Sequence, residues 1–211
     1  MSGERTLWNS APEAGIGRTT YIPIPVGVTA TGSDLEIGMH VLEGAKPGPK
    51  LAIVSTHHGD ELFTAELTRR VVASLDPSDV AGTIYAIPVA NPLAFEWGTR
   101  NTVQDGSNMN RVFPGNDRGW ITEVMARVVT DSLLPNIDHL IDLHCGGTDT
   151  TIHYTYTRKQ SDELGRRIHQ LAQLAGADVL WETAGPAGTL AGDAMDQGVV
   201  TVIVEAGGGT T

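Results

Sequence analysis

Cysteine is almost missing from this chain. Of 211 residues only Cys145 is one, so no disulfide can close within it. Positive charge is scarce too: 14 Lys and Arg stand against 25 Asp and Glu, a net charge of −11. Holding a phosphate backbone needs clustered Lys and Arg, so neither nucleic acid nor an anionic membrane is expected as a partner. An anionic small molecule is still open, because one or two local arginines can hold it. No apolar run approaches the roughly 20 residues of a membrane span. Met1 to Gly17 has no basic start followed by an apolar stretch, so no secretory signal is read there and a cytoplasmic protein is expected. Internal repeats and low-complexity tracts are absent as well.

What is present describes a globular protein. The hydrophobic fraction is 40% and the charged fraction 18%, outside the disordered range. A chain of this length can bury roughly 70% of its unfolded surface without staples. Residues 1–20 are polar and carry Gly and Pro, and read as a lead-in to a single domain over 21–211. Strand-like patterns run from Tyr21 to Val28 and from Asp34 to Leu42, and Gly44 to Pro49 reads as a turn. Four short apolar runs follow, at Leu51–Val54, Thr83–Ile87, His139–Leu143 and Val199–Val204. Their Ile and Val content and weak alternation fit strands buried on both faces.

Helical rhythm fills the gaps. Glu61–Leu75 places Leu62, Ala65, Leu67, Val71 and Val72 at helical spacing, and Asp76-Pro77 ends it. Thr122–Leu134 repeats the pattern up to Pro135, and a third helix opens at Ser161 and closes near Gly176. Buried strands alternating with amphipathic helices predict an α/β fold around a mixed, mostly parallel sheet flanked by helices. In such sheets the working residues sit at the carboxyl ends of strands.

Those ends carry chemistry. After the run at 51 comes Thr56-His57-His58-Gly59-Asp60-Glu61. After the run at 83 comes Asn91-Pro92 and a Gly-, Asn- and Asp-rich loop holding Arg100, Asn110 and Arg111. After the run at 139 comes His144-Cys145-Gly146-Gly147, and the last run leads into Glu205-Ala206-Gly207. Catalytic zinc takes three protein ligands and an open position, and two His with one Glu is a known set. His58 and Glu61 share a face at a strand-to-helix turn, and His144 can supply the third ligand. His57 competes with His58, since its spacing to Glu61 is also helical, and spacing leaves that choice open. Glu205 is then free to act as a base. Asp142 should point the same way as His144 along a strand and support it. Each piece has a plainer explanation: an HxxE spacing arises by chance on helices, a lone strand-end His usually bonds backbone, and Cys145 is more often a small packed residue. Their common position at strand ends is the stronger signal.

These residues resemble a known family. His58-Gly59-Asp60-Glu61, Asn108-Met109-Asn110-Arg111-Val112-Phe113-Pro114-Gly115, Asp142-Leu143-His144 and Val204-Glu205-Ala206-Gly207 are similar, in that order, to the motifs of the succinylglutamate desuccinylase/aspartoacylase family. That family is related to zinc carboxypeptidases. The stretch from Gly98-Thr99-Arg100 to Gly115, with Asp142 to Gly147, is nearest the N-acetyl-diaminobutyrate deacetylase-like subgroup. The resemblance implies a zinc-carboxypeptidase-like fold and one zinc held by His58, Glu61 and His144, which favours His58 over His57. It implies that Glu205 activates water, that Arg100 polarises the scissile carbonyl, and that Asn110 and Arg111 bind a small N-acyl amino acid. The expected activity is zinc-dependent hydrolysis of its amide bond. Two alternatives stand beside it: a zinc carboxypeptidase acting on peptides, and a non-catalytic binding domain of the same fold. A homo-oligomer is among the assemblies open to the chain. Family members continue past the catalytic glutamate into a smaller β-rich domain. Here Thr211 follows Glu205 by six residues, so that C-terminal domain is expected to be absent and the chain truncated.

Overall fold

In a computed structural model of the chain, the described residues are 16–176 and 178–208. Most of the expected lead-in, together with Gly209, Thr210 and Thr211, lies outside them. The elements run β1 (Arg18–Val28), β2 (Asp34–Glu43), β3 (Lys46–Ser55), α1 (Leu62–Ser74), β4 (Ala81–Ile87), α2 (Pro92–Trp97), α3 (Ile121–Leu133), β5 (His139–His144), β6 (Thr151–Thr157), α4 (Glu163–Leu174), β7 (Leu180–Glu182), α5 (Leu190–Asp196) and β8 (Val200–Gly208). No helix among them is long and apolar enough to cross a membrane.

All eight strands join one sheet in the order β1-β2-β4-β3-β5-β8-β6-β7. The centre, β4-β3-β5-β8, is parallel, as is β6-β7. The pairings β1-β2, β2-β4 and β6-β8 are antiparallel. The sheet is therefore mixed and mostly parallel, with helices on both faces, as the alternation of apolar runs and helical rhythm predicts.

Period-two alternation divides the core. Leu140 joins the cluster made with Val54, Met125 and Val129, on the face covered by α3. Its neighbours Ile141 and Leu143 join Val202, Val204 and Ile168 on the face covered by α1 and α4. Asp142 and His144 share the parity of Leu140 and so project on the α3 face. Glu205 shares the parity of Ile203, which packs against Ala191 and Met195 of α5.

Four expectations need correction. The turn read at Gly44–Pro49 is mostly strand, because Lys46 already pairs with Ala81 and Gly82, at φ +95°, lies against Pro49. A Cβ on Gly82 would sit 2.0 Å from the Pro49 carbonyl oxygen, a contact only glycine permits. The stripe that α1 buries is Thr64, Thr68 and Val72, whereas Leu62 is exposed. Hydroxyl contacts decide this orientation: Thr64 Oγ1 meets Thr56 Oγ1 at 3.0 Å, and Thr68 Oγ1 meets Ser55 Oγ at 2.9 Å. The loop read after Asn91 begins with α2, capped by the Asn91 side chain, which accepts from Ala94 N–H at 3.0 Å. Finally, β6, β7 and α5 are elements that no apolar run announced.

Candidate active site

The site is built where β3 and β5 end, beside Glu205 of β8, which runs on to Gly208 in its pairing with β6. Leaving β3, the chain makes a strained turn: Thr56 has φ +56°, unusual for a β-branched residue. Tertiary bonds hold it there, since the Thr56 hydroxyl bonds the Pro88 carbonyl at 2.9 Å and the Asn91 backbone N–H bonds the Thr56 carbonyl at 3.1 Å. Gly59 follows with its backbone pressed on α2; a Cβ there would lie 2.1 Å from the Ala94 carbonyl carbon. The turn thus presents His57, His58 and Glu61 in fixed directions, all buried.

Glu61 lies between two imidazoles. Its Oε1 is 2.6 Å from His58 Nδ1 and its Oε2 is 3.0 Å from His144 Nδ1. The far nitrogens are also partnered: His58 Nε2 is 3.1 Å from Asn108 Oδ1, and Asn110 Nδ2 donates to His144 Nε2 at 3.0 Å. Arg100 Nη1 is 3.6 Å from Glu61 Oε1. Donor atoms of His58, Glu61 and His144 all fall within 4.8 Å of one another, a spacing at which one ion can touch all three. Two imidazoles and one carboxylate, with their outer nitrogens held, are a donor set suited to zinc. A second group, His57, Asp142 and His144, has the same spacing. Neither His57 nor Asp142 lines the cavity, whereas all of the first group do.

That cavity is about 300 Å³ and is lined by His58, Glu61, Arg100, Asn110, Arg111, His144 and Glu205, with Cys145, Thr150, Ile152 and Tyr156 completing its wall. The seven residues given ligand, base or substrate roles from the sequence all line it, whereas His57 and Asp142 stand behind its wall. Other contributors have no sequence signal: Asn108 lies in one of the motifs without a role, and Thr150, Ile152 and Tyr156 lie on or beside β6, a strand that no apolar run marks. Cys145 is buried, and burial pushes its thiol up to about 11, in keeping with a packed rather than reactive side chain.

Charge is arranged unevenly. Burial pushes the Glu205 carboxyl up to about 7, and the Glu61 and Asp142 charges add to the rise against the pull of His144 and Arg100. Its Oε2 is buried without a hydrogen-bond partner among the described residues. Burial would raise Glu61 as well, but the His144 charge and the two imidazole bonds outweigh it and hold this carboxylate well below its usual range. His58 is lowered by burial and favours its neutral form. Burial opposes a proton on His144, yet Asp142 and Glu61 more than offset this and raise it. A cation entering between the rings must displace that proton, so binding there is coupled to pH.

The catalytic-domain pattern of the succinylglutamate desuccinylase/aspartoacylase family matches residues 47–211. N-alpha-acetyl-L-2,4-diaminobutyric acid deacetylase of Halomonas elongata is 34% identical over 170 residues, covering 78% of this chain and 49% of that protein. The chain thus spans about half the length of this curated relative. Among solved structures, the succinylglutamate desuccinylase/aspartoacylase of Rhodobacter sphaeroides superimposes with a TM-score of 0.80 at 26% identity, over 90% of this chain and 58% of that one. The product-bound ectoine utilization protein EutE (DoeB) of Ruegeria pomeroyi gives 0.80 at 25% identity, over 90% and 60%. With four motifs in order on one strand-end cavity and a family match over most of its length, this chain belongs to the succinylglutamate desuccinylase/aspartoacylase family.

Proposed function

We propose that residues 21–211 form the catalytic unit of a cytoplasmic zinc-dependent amidohydrolase that cleaves the amide bond of an N-acyl amino acid, releasing a carboxylate and a free amine. One observation carries this reading. A zinc-type donor trio, a carboxyl raised to about 7 and two guanidinium groups line a single cavity sized for a small molecule. The similarity to a deacetylase of an acetylated diamino acid supports the substrate class.

His58, Glu61 and His144 hold one zinc ion per chain. Bound there, zinc supplies Lewis acidity that brings the acidity of a water toward pKa ~7. Glu205 faces the same space and accepts the proton of the attacking water. It then passes that proton to the departing amine, a role worth roughly 10²–10⁴-fold. Arg100, more than half exposed on the cavity wall, donates to the scissile carbonyl oxygen as negative charge develops on it. Arg111 holds the substrate carboxylate in a two-bonded fork. Asn110 already spends its carbonyl on Leu190 N–H at 3.1 Å and one amide hydrogen on His144, so its second amide hydrogen remains for substrate.

The test is metal analysis of the purified chain joined to a screen of acetylated and succinylated amino acids, with a short peptide as comparator. One zinc per chain and turnover of at least one acyl amino acid are expected. His58→Ala or His144→Ala should abolish stoichiometric zinc. Faster cleavage of the peptide would favour the carboxypeptidase alternative, and a chain without bound zinc would remove the proposal.

A further inference from the structure

His57 and Asp142 are fully buried beside the cavity and belong to none of the steps above. His57 Nε2 donates to Asp142 Oδ1 at 2.8 Å, and His144 Nε2 lies 3.4 Å from the same oxygen. The two imidazoles stack with centroids 5.2 Å apart and planes 26° apart. Phe113 meets the His57 ring edge-on at 5.5 Å, fixing its plane. His57 Nδ1 has no partner among the described residues, so the proton of a neutral His57 sits on Nε2, where its acceptor is.

The His144 ring has a choice that His57 lacks. Its Nε2 stands between a donor, Asn110 Nδ2 at 3.0 Å, and an acceptor, Asp142 Oδ1. Asn110 cannot turn round without losing the Leu190 N–H held by its carbonyl. When Asn110 serves Nε2, the proton of a neutral His144 is on Nδ1 and points at Glu61. When Asp142 serves Nε2, the proton is there and the Nδ1 lone pair is bare. Only the second tautomer can bind an ion from the side of Glu61 and His58. That state requires Asp142 to stay aimed at His144. Asp142 Oδ2 has no hydrogen-bond partner, so the His57 bond is what orients this carboxylate among the described residues.

We infer that His57 is a positioning residue for the ion site: through the shared Asp142 carboxylate it holds His144 in its ion-ready tautomer. The inference rests on the proposal that His58, Glu61 and His144 hold zinc. Without the His57 N–H, the buried carboxylate loses its nearest donor and turns, and His144 relaxes to the tautomer bonded by Asn110. Losing such an outer partner typically weakens metal binding by about 10- to 100-fold.

The experiment measures zinc affinity against a competing chelator for the whole chain and for His57→Phe and His57→Gln, with cobalt absorption spectra on each. His57→Phe should still take one ion at saturation but bind about 10- to 100-fold more weakly, with an altered cobalt spectrum. His57→Gln, whose amide nitrogen reaches about as far as Nε2, should recover most of the loss. Unchanged affinity in folded His57→Phe overturns the inference, and so does a second ion per chain that His57→Phe abolishes, which would place it among His57, Asp142 and His144. Should His57→Phe not fold, ring-nitrogen NMR of the unmodified zinc-loaded chain decides: both His57 and His144 must carry hydrogen on Nε2, and His57 protonated only on Nδ1 refutes it. A chain that binds no zinc sinks the ion proposal and this inference together. A chain that binds zinc with no regard to His57 sinks this inference alone.

Discussion

His144 and Glu205 are direct Cα partners across the β5-β8 pairing. Two parallel strands thereby set a proposed ligand and a proposed base side by side on one face of the sheet, where β5 ends and β8 runs on.

This adjacency separates metal binding from proton transfer. In Glu205→Gln, zinc content and melting temperature of the loaded protein should change little, while kcat falls by at least about 10²-fold, since an amide accepts no proton at neutral pH. Retained zinc with near-normal kcat would remove Glu205 from the reaction. In metal-free protein the same residue has a signature in stability. Its folded pKa, about 7, lies above its ordinary 4.5. Between those values the folded state binds more protons than the unfolded one, so stability falls as pH rises through that window. Urea titrations should show that decline in the unmodified chain and a smaller one in Glu205→Gln.

Arg100 and Arg111 should separate in kinetics. Arg100→Ala is expected to lower kcat by about 10²–10³-fold, as loss of one oxyanion donor does. Arg111→Ala should chiefly raise KM, because its carboxylate fork forms in the ground state too. Equal effects confined to kcat would contradict the division.

Gly59 is a steric requirement. Gly59→Ala puts a methyl group 2.1 Å from the Ala94 carbonyl carbon, a backbone atom that cannot swing aside. Overpacking of this kind costs about 1–3 kcal/mol. The His58 turn should shift with it, so weaker zinc binding should accompany the lower urea midpoint; unchanged stability and affinity together would show that α2 can move away.

Asp105 caps α3 from outside the helix. Its Oδ2 accepts from Thr122 N–H at 2.9 Å and its Oδ1 from the Thr122 hydroxyl at 2.7 Å. Burial would raise this carboxyl, but the Thr122 and Ser107 bonds prevail and lower it below its ordinary 3.8. Asp105→Ala should therefore cost about 1 kcal/mol at neutral pH, the worth of a lost cap. A lowered folded pKa gives stability that is full above the unfolded value and lost as pH falls through the folded one. The gap between Asp105→Ala and the unmodified chain should close with acidification below about 3.8, where urea midpoints can be compared.

Much of this was legible in the residues. Apolar runs such as Leu51–Val54 and His139–Leu143 name central strands because burial on both faces demands continuous hydrophobicity. The candidate site was legible because His follows β3 and closes β5, and because Glu205 follows the apolar run of β8, although that strand continues past it to Gly208. What stayed hidden has physical causes. Strand β6, Thr-Ile-His-Tyr-Thr-Tyr-Thr, owes its place to antiparallel pairing with β8, and its side chains carry no apolar run. The buried face of α1 is set by hydroxyls at the end of β3 and just past it, and hydropathy counts the threonines that meet them as polar. The Thr56 conformation comes from bonds to Pro88 and Asn91, over 30 positions away, so no local sequence rule reveals it.

The donor trio is unevenly spread along the chain. His58 and Glu61 are three positions apart, but His144 reaches Glu61 from 83 positions away. A chain still emerging from synthesis, or one whose β5 has not docked on β3, can offer an ion only a two-point foothold. The third point arrives with the closure of a long loop, whose entropy the β3-β5 ladder and the sheet around it must offset. Tight capture of the proposed metal would therefore belong to the assembled sheet. An ion held by the proposed trio would lock a fold already made, unlike the metal of a small zinc finger, which must be present for any fold to form.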